Sequence, residues 1–171
     1  MNESNSTASL LILHERIDTR VDELALRHAE RLRCERGCNA CCVDGLTVFS
    51  IEAERIRSSH RALLRDATPH PPGACAFLGE SGECRIYAER PYVCRTQGLP
   101  LRWFEEKDSG EICEERAICP LNDEGTALHE LPEEACWLIG PVELELGNLQ
   151  AEIRDAPEDR IALRALFDRA R

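Results

Sequence analysis

The sequence predicts a mainly α protein in which N- and C-terminal helices flank a small, irregular, cysteine-rich metal-binding core with a short β-hairpin. Apolar residues recur at helical spacing near both ends, whereas glycines and prolines interrupt the middle, which holds nine of the ten cysteines. We therefore expect an N-terminal helical segment at residues 1–33, a cysteine-cluster metal-binding domain at residues 34–120, and a C-terminal helical segment at residues 121–171 that packs on the first.

The N-terminal helix is predicted over residues 8–33, because no glycine or proline interrupts this run and acidic and basic residues separate an apolar stripe. The stripe consists of Leu11, Ile12, Ile17, Val21, Leu24, Leu26 and Leu32. A second helix is predicted from Ile51 to about Leu64, with Ser50 as its cap. The prolines within residues 67–73 must end it.

Prolines also indicate where the C-terminal helices begin. Pro132, Pro141 and Pro157 each fit the first turn of a short helix. The last of these helices would end in the basic residues Arg169 and Arg171.

The charge of the chain excludes some partners. The formal net charge is −11, so repulsion argues against a nucleic acid or an anionic membrane surface as partner. No targeting segment is visible, and no apolar run approaches the roughly 18 residues of a spanning helix. We therefore expect a cytoplasmic protein with reduced thiols, in which clustered cysteines indicate metal ligands or redox centres rather than disulfides.

The stretch CERGCNACC is the first candidate metal motif. On a helix its cysteines would share one arc, as the buried stripe of a helix does. Gly37 and Asn39 are poor helix formers, however, and such short spacings are typical of zinc and iron–sulfur ligand sets. The cysteines of this motif are Cys34, Cys38, Cys41 and Cys42.

The stretch CAFLGESGECRIY (75–87) predicts a hairpin with a two-residue turn at Gly79-Glu80. That register places Cys75 opposite Cys84, with Cβ atoms about 4.5–5.5 Å apart, so both thiolates could hold one metal ion. A disulfide would fit the same geometry, but the expected compartment disfavours it. A turn at Ser81-Gly82 would break this pairing.

The stretch RPYVCR supplies a third element. Pro91 predicts a helical turn that places Cys94 near its N-terminal end, where free N–H groups favour the thiolate. Arg90 and Arg95 flank this cysteine and would offset the negative charge of a thiolate-rich site.

Together the three elements read C-x3-C-x2-C-C, C-x-F-L and G-x-C-x-I-Y-x-x-R-P-x-x-C-R. This order resembles the YkgJ-type cysteine-cluster family, a zinc- or iron-chelating domain, over residues 34–95. The matching residues are Cys34, Cys38, Cys41, Cys42, Cys75, Phe77, Leu78, Cys84, Ile86, Tyr87, Arg90, Pro91, Cys94 and Arg95. The resemblance implies metal chelation by the cysteines and a late cysteine, which Cys113 or Cys119 would supply, with Pro120 slightly favouring Cys119.

The remaining cysteine and the histidines are weaker candidates. Cys136 stands beside Trp137 in an apolar context and is expected to be a core residue. The histidines are expected at the surface, away from the ligands: His14, His28, His60, His70 and His129.

Eight or nine candidate thiols exceed what one tetrahedral site takes, which is four. They would fill two mononuclear sites, or one site with spare redox thiols. Alternatively, a four-iron cluster would take three ligands from the first motif and one from Cys75, Cys84 or Cys94. Neighbours on an extended chain point apart, so Cys41 and Cys42 would serve two sites or bridge them. Thiolates suit zinc and iron equally and exclude magnesium and calcium.

Three functions remain open at this stage. The first is a soluble metal-binding protein that chelates zinc or iron. The second is an iron–sulfur enzyme or a methyl-transfer component, since the first three cysteines have the spacing found in radical S-adenosylmethionine enzymes, and the resembling domain also occurs in a flagellin lysine methylase. The chain lacks the strand–helix alternation of the barrel such enzymes need. The third is a thiol redox switch.

Overall fold

The computed structural model describes residues 3–153 and 159–168. The helices are α1 (Glu3–Arg27), α2 (Ser50–Ser59), α3 (Arg61–Asp66), α4 (Tyr92–Arg95) and α5 (Pro141–Ala151). The strands are β1 (Thr47–Phe49), β2 (Leu101–Glu106), β3 (Ile112–Ala117), β4 (Trp137–Leu138) and β5 (Arg160–Ala162). Helices predominate, as the sequence predicts, but two small sheets make the protein less purely helical than expected.

Helix α1 buries one face, formed by residues three, four and seven positions apart, which is the spacing of a helical stripe. These residues are Leu10, Leu13, Ile17 and Leu24. The predicted stripe is wrong at Leu11, Ile12 and Leu26, which are exposed because they project from the other sides of the helix.

Helix α1 ends at Arg27 rather than at residue 33. Beyond it, the buried His28 ring lies 2.7 Å from the carbonyl oxygen of Ala135, and Arg31 Nε donates to the carbonyl oxygen of Asn122 at 3.0 Å. These distant partners draw the chain out of the helix, and no local sequence signal announces them.

The predicted middle helix is divided into α2 and α3 at His60, which has φ −120° and ψ 31°. Ser50 is not the cap but the first helical residue, because Phe49 holds the N-cap position. The chain leaves α3 at Ala67, in agreement with the stop signal in residues 67–73.

Strand β1 pairs antiparallel with β5, so that Val48 lies opposite Ile161. The predicted final helix is therefore wrong over the described residues 160–167, which form β5 and a single 3-10 segment, Leu163–Phe167. This arrangement buries Leu163 and Leu166. The predicted start at Pro157 and the basic end at Arg169 and Arg171 lie outside the described residues.

Pro141 stands in the first turn of α5, which confirms that prediction, whereas Pro132 precedes only one turn of 3-10 helix at Glu133–Ala135. Helix α5 packs against α1. Strands β2 and β3 form the regular hairpin of the protein, with Trp103 opposite Glu115, and β4 adds to β2 in parallel. The division of the chain at residues 33 and 120 stays a prediction.

Two buried clusters hold the fold together. One joins α1 and α5 through Phe49, Tyr92 and Trp137. The other contains Val48 and Phe77 and takes up cysteine side chains. Because successive strand residues face opposite sides, β1 supplies Phe49 to the first cluster and Val48 to the second. In the part of the chain described, no helix has both the length and the apolar content to cross a bilayer.

Candidate metal centre

The CERGCNACC stretch is not helical. The amide of Cys38 donates to the carbonyl oxygen of Glu35 at 3.0 Å, and the amide of Cys42 donates to that of Asn39 at 2.9 Å. Gly37 has a φ of 90°, which a tight turn of this kind requires. Two consecutive turns therefore replace the helical arc and direct the thiols of this motif toward different parts of the protein.

One set of thiols collects where these turns meet the segment after β3. Cys34 is exposed as a residue, but its sulfur lies close to Gly98 and Asn122, and this partial burial raises its pKa. The Asn122 amide lowers the pKa, and the charges of Cys38, Cys119 and Cys41 raise it. Asn122 brings two of these cysteines together, because its side-chain amide lies 3.4 Å from Cys34 Sγ and its backbone amide donates to the carbonyl oxygen of Cys119 at 2.8 Å. We call this set the outer group: Cys34, Cys38, Cys41 and Cys119.

The buried side chain of Asn122 contacts the outer group and links it to the backbone at Gly98 and Arg33. Its side chain is fully buried; Nδ2 donates to Gly98 O at 2.8 Å and lies 3.4 Å from Cys34 Sγ, while Oδ1 accepts from the amide of Arg33 at 2.8 Å. An amide donor beside a sulfur stabilises the thiolate form. This residue was not predicted, because its partners are distant in sequence.

Gly98 permits the close approach of Cys34. It has a φ of 93°, and a Cβ built there would lie 2.5 Å from Cys34 Sγ. We expect Gly98→Ala to displace Cys34 and to lose more stability than the roughly 1–2 kcal/mol that a left-handed backbone alone costs. Urea unfolding of the purified variants measures this loss.

Gly110→Ala is the matched control, because Gly110 has a φ of 79° and no atom lies within 4 Å of the position that an added Cβ would take. Both variants carry the backbone strain, but only the first carries the clash. Equal losses in the two variants would contradict the expected role of Gly98.

A second set of thiols lies against the second buried cluster. The amide of Cys75 donates to the carbonyl oxygen of Cys42 at 2.9 Å, which ties the two segments together. Cys75 is itself a member of that cluster, and Cys42 and Cys84 pack against it. We call this set the inner group: Cys42, Cys75, Cys84 and Cys94.

Two thiols of the inner group each receive the same kind of backbone contact. Burial raises the pKa of both Cys75 and Cys84, while the backbone N–H two residues further on, of Phe77 and Ile86 respectively, lowers it. An N–H aimed at sulfur favours the charged thiolate, the form that binds metal. Arg90 adds a smaller effect in the same direction at Cys84.

The hairpin that carries Cys75 and Cys84 has a different register from the predicted one. Leu78, not Cys75, lies opposite Cys84, and the turn spans Gly79 to Gly82, with the amide of Gly82 donating to Gly79 O at 3.0 Å. Gly82 has a φ of 83° and so supplies the left-handed residue at the end of this turn. The predicted turn at Gly79-Glu80 is therefore wrong.

Cys94 lies on α4, which begins just after Pro91, as predicted. The expected lowering of its pKa is wrong: burial, and then the charges of Cys75 and Cys84, raise it to about 12. The flanking arginines also have other partners, because Arg95 pairs with Asp18 of α1 and Arg90 Nη2 lies 3.9 Å from the same carboxylate.

Cys41 and Cys42 connect the two groups. Their thiols hydrogen-bond to each other, which lowers the pKa of Cys41 and raises that of Cys42. Cys42 is also affected by Cys75 and Cys84, whereas Cys41 acts on both Cys34 and Cys94. The chain is turned rather than extended here, and Cys41 lies between the two groups.

Two arginines hold the loop before Cys75 and were not predicted. Arg164 donates to the carbonyl oxygens of His70 at 2.6 Å and Ala74 at 2.8 Å, and its Nε donates to Asp44 at 2.9 Å. Arg85 Nη1 donates to Thr68 O at 3.0 Å, and its Nη2 donates to Ala76 O at 2.7 Å, which also accepts from the His70 amide. The arginines thus supply donors to carbonyl groups of a loop without regular structure.

Cys113 stays apart from both groups. It lies in β3 opposite Glu105, next to the turn at residues 107–111 that joins β2 to β3. Cys136 is buried, as predicted, beside Arg116 Nη1 at 3.9 Å.

The histidines differ from the surface prediction at two positions. His14 is buried, with Nε2 3.1 Å from Glu52 Oε1, and His28 is buried as described above. Glu52 Oε1 also accepts the amide of Tyr92 at 2.7 Å.

The donor chemistry of both groups fits zinc or iron, because both consist of thiols from separated stretches of the chain, and N–H donors lie beside Cys34, Cys75 and Cys84. Among the described residues, no three Cys, His, Asp or Glu side chains already stand in metal-coordinating positions. Binding would therefore draw the sulfur atoms of each group closer together.

Thiols gathered in this way by short turns and a small hairpin define a cysteine-cluster protein. Residues 33–124 match the CxxCxxCC family, described as a putative zinc- or iron-chelating domain. The match covers more than half of the chain, so the protein belongs to this family, which confirms the resemblance seen in the sequence. No curated protein and no solved structure matches the chain.

Proposed function

We propose that the protein binds zinc or iron through its clustered cysteines, with the outer and inner groups each holding one metal centre. The observation that carries this proposal is that distant cysteines share neighbours: Asn122 contacts both Cys34 and Cys119, and Cys42, Cys75 and Cys84 lie in one buried cluster. Each group has four thiols, the number that a tetrahedral site takes.

The surroundings of the inner group support metal binding over core packing. A cysteine that only filled space would need no polar contact at sulfur. Burial raises the pKa of Cys75 and Cys84, but each receives a backbone N–H that opposes this rise, and at Cys84 the charges of Arg90 and Arg85 oppose it as well. Such contacts stabilise negative charge on sulfur, which a metal ligand must carry.

The metal would also supply stability to a part of the chain with little regular structure. Structural zinc contributes an apparent binding free energy of roughly 10–16 kcal/mol in small peptides, comparable to the stability of a whole domain. The segment between α3 and α4 is held by short turns, by arginine–carbonyl contacts and by the burial of Phe77 and Ile86. Metal–thiolate bonds would close these loops.

Elemental analysis of anaerobically purified protein tests the proposal directly. We expect zinc or iron in stoichiometric amount. Broad visible absorption together with sulfide would identify an iron–sulfur cluster, whereas a colourless protein with zinc would identify mononuclear sites. Protein that is folded, fully reduced and free of both metals after this purification would contradict the proposal.

A further inference from the structure

The two thiol groups differ in their access to solvent. In the outer group, Cys34 is exposed, and the chain around it is exposed from Arg33 to Gly37, as is Pro120 beside Cys119. The other three thiols of this group are partly buried, so a ligand approaching from solvent meets Cys34 first and displaces no core residue to reach it.

The inner group lies against packed side chains. Cys75 is buried, as are its neighbours Ala76 and Phe77 and, beyond Cys84, Ile86. Cys42 and Cys84 pack against the same cluster, together with Val93 beside Cys94. The other three thiols of this group are partly buried, but an incoming ligand reaches Cys75 only by displacing the side chains of this cluster.

The attachment of the two groups differs as well. The outer group is held by two turns, the buried amide of Asn122 and an exposed ion pair between Arg36 and Glu83. Exposed ion pairs of this kind contribute little stability. The inner group is held by backbone hydrogen bonds within the loop, by Arg164 and by the aromatic pair Phe77–Phe167, with ring centroids 4.9 Å apart.

We infer that the outer group exchanges its metal ion with an external thiol ligand, while the inner group retains its ion as part of the folded structure. This inference rests on the proposed function. It assigns to the outer group the transfer of zinc or ferrous iron to or from a partner that presents two or more cysteine thiols.

The exchange balances without an oxidant or reductant. An acceptor thiol loses its proton as its sulfur binds the ion, and each cysteine sulfur that leaves the ion takes up a proton. The charge of the ion stays 2+ throughout. Zinc can expand to five ligands during such a replacement, which requires an open side of the site. The exposed stretch around Cys34 provides that side.

Zinc release from the full-length, zinc-loaded protein tests this inference under anaerobic conditions, with excess chromogenic chelator as the probe. We expect two bound equivalents that leave in two phases of equal amplitude, with rates at least about tenfold apart. Cys38→Ser is expected to remove the fast phase and leave the slow one. Cys113→Ser is the matched control and is expected to keep both phases.

Alkylation of the zinc-loaded protein provides a second measurement that needs no variant. We expect iodoacetamide to modify Cys34 and Cys38 before Cys75, Cys84 and Cys94, as mapped by peptide mass spectrometry. Three outcomes would each overturn the inference and leave metal binding itself intact. These are release of both zinc equivalents at a single rate, a single bound equivalent, and loss of the slow phase in Cys38→Ser. Absence of any bound zinc or iron would instead refute the proposed function.

Discussion

Cys84→Ser is expected to abolish metal binding at the inner group and to unfold the segment between α3 and α4. The serine cannot replace a thiolate ligand, and the remaining thiols would be left partly buried around an incomplete site. Because metal binding of about 10–16 kcal/mol is comparable to the whole stability of a domain, the loss should lower Tm steeply or prevent folding. Thermal unfolding by circular dichroism, with metal analysis of the same sample, measures both effects.

Cys113→Ser is the control for this prediction, because Cys113 is partly exposed on β3 and lies apart from both thiol groups. It should keep its metal, with a change in unfolding free energy of about 0.5 kcal/mol or less. If Cys84→Ser matched this control in both metal content and Tm, Cys84 would not be a ligand.

Phe77→Ala is expected to lower the unfolding free energy of the metal-loaded protein by about 3–5 kcal/mol. The Phe77 ring is fully buried and packs against Phe167, so its removal leaves a cavity in the cluster to which Cys75 belongs. The backbone N–H that supports Cys75 is unchanged by this substitution, so metal content should fall less than stability. Urea unfolding of zinc-loaded protein gives the free energy.

Phe104→Ala is the matched substitution on the surface. Phe104 is 58% exposed, and the Arg102 guanidinium lies 5.7 Å from the centre of its ring. We expect a loss of about 1 kcal/mol or less. Comparable losses at Phe77 and Phe104 would mean that the second buried cluster does not support the inner group.

Local signals in the sequence predicted local structure well. Gly37 and Asn39 indicated that the first motif is not helical, and turns are found there. Pro91 and Pro141 indicated helix starts that the structure contains. The order and spacing of the cysteine motifs predicted the family, because both can be read from the sequence without knowing which distant residues meet in the fold.

Distant partners explain the errors. Residues 160–162 carry a pattern compatible with a helix, but pairing with β1 makes them a strand. The 79–82 turn has two glycines, and the left-handed Gly82 decides the register that the sequence left open. No local pattern announces that Asn122 supports Cys34 or that Arg164 binds the loop before Cys75, since these contacts form only in the folded chain.

The Arg164 contacts also set an order of events during synthesis. Ala74 precedes Arg164 by 90 residues, and ribosomes add about 5–20 residues per second. For several seconds during synthesis, the inner thiols are therefore present on a chain in which Arg164 does not yet hold the loop before Cys75. During this interval the free thiols can bind metal ions or be oxidised before the site has formed. A factor that protects thiols on nascent chains would act at this time.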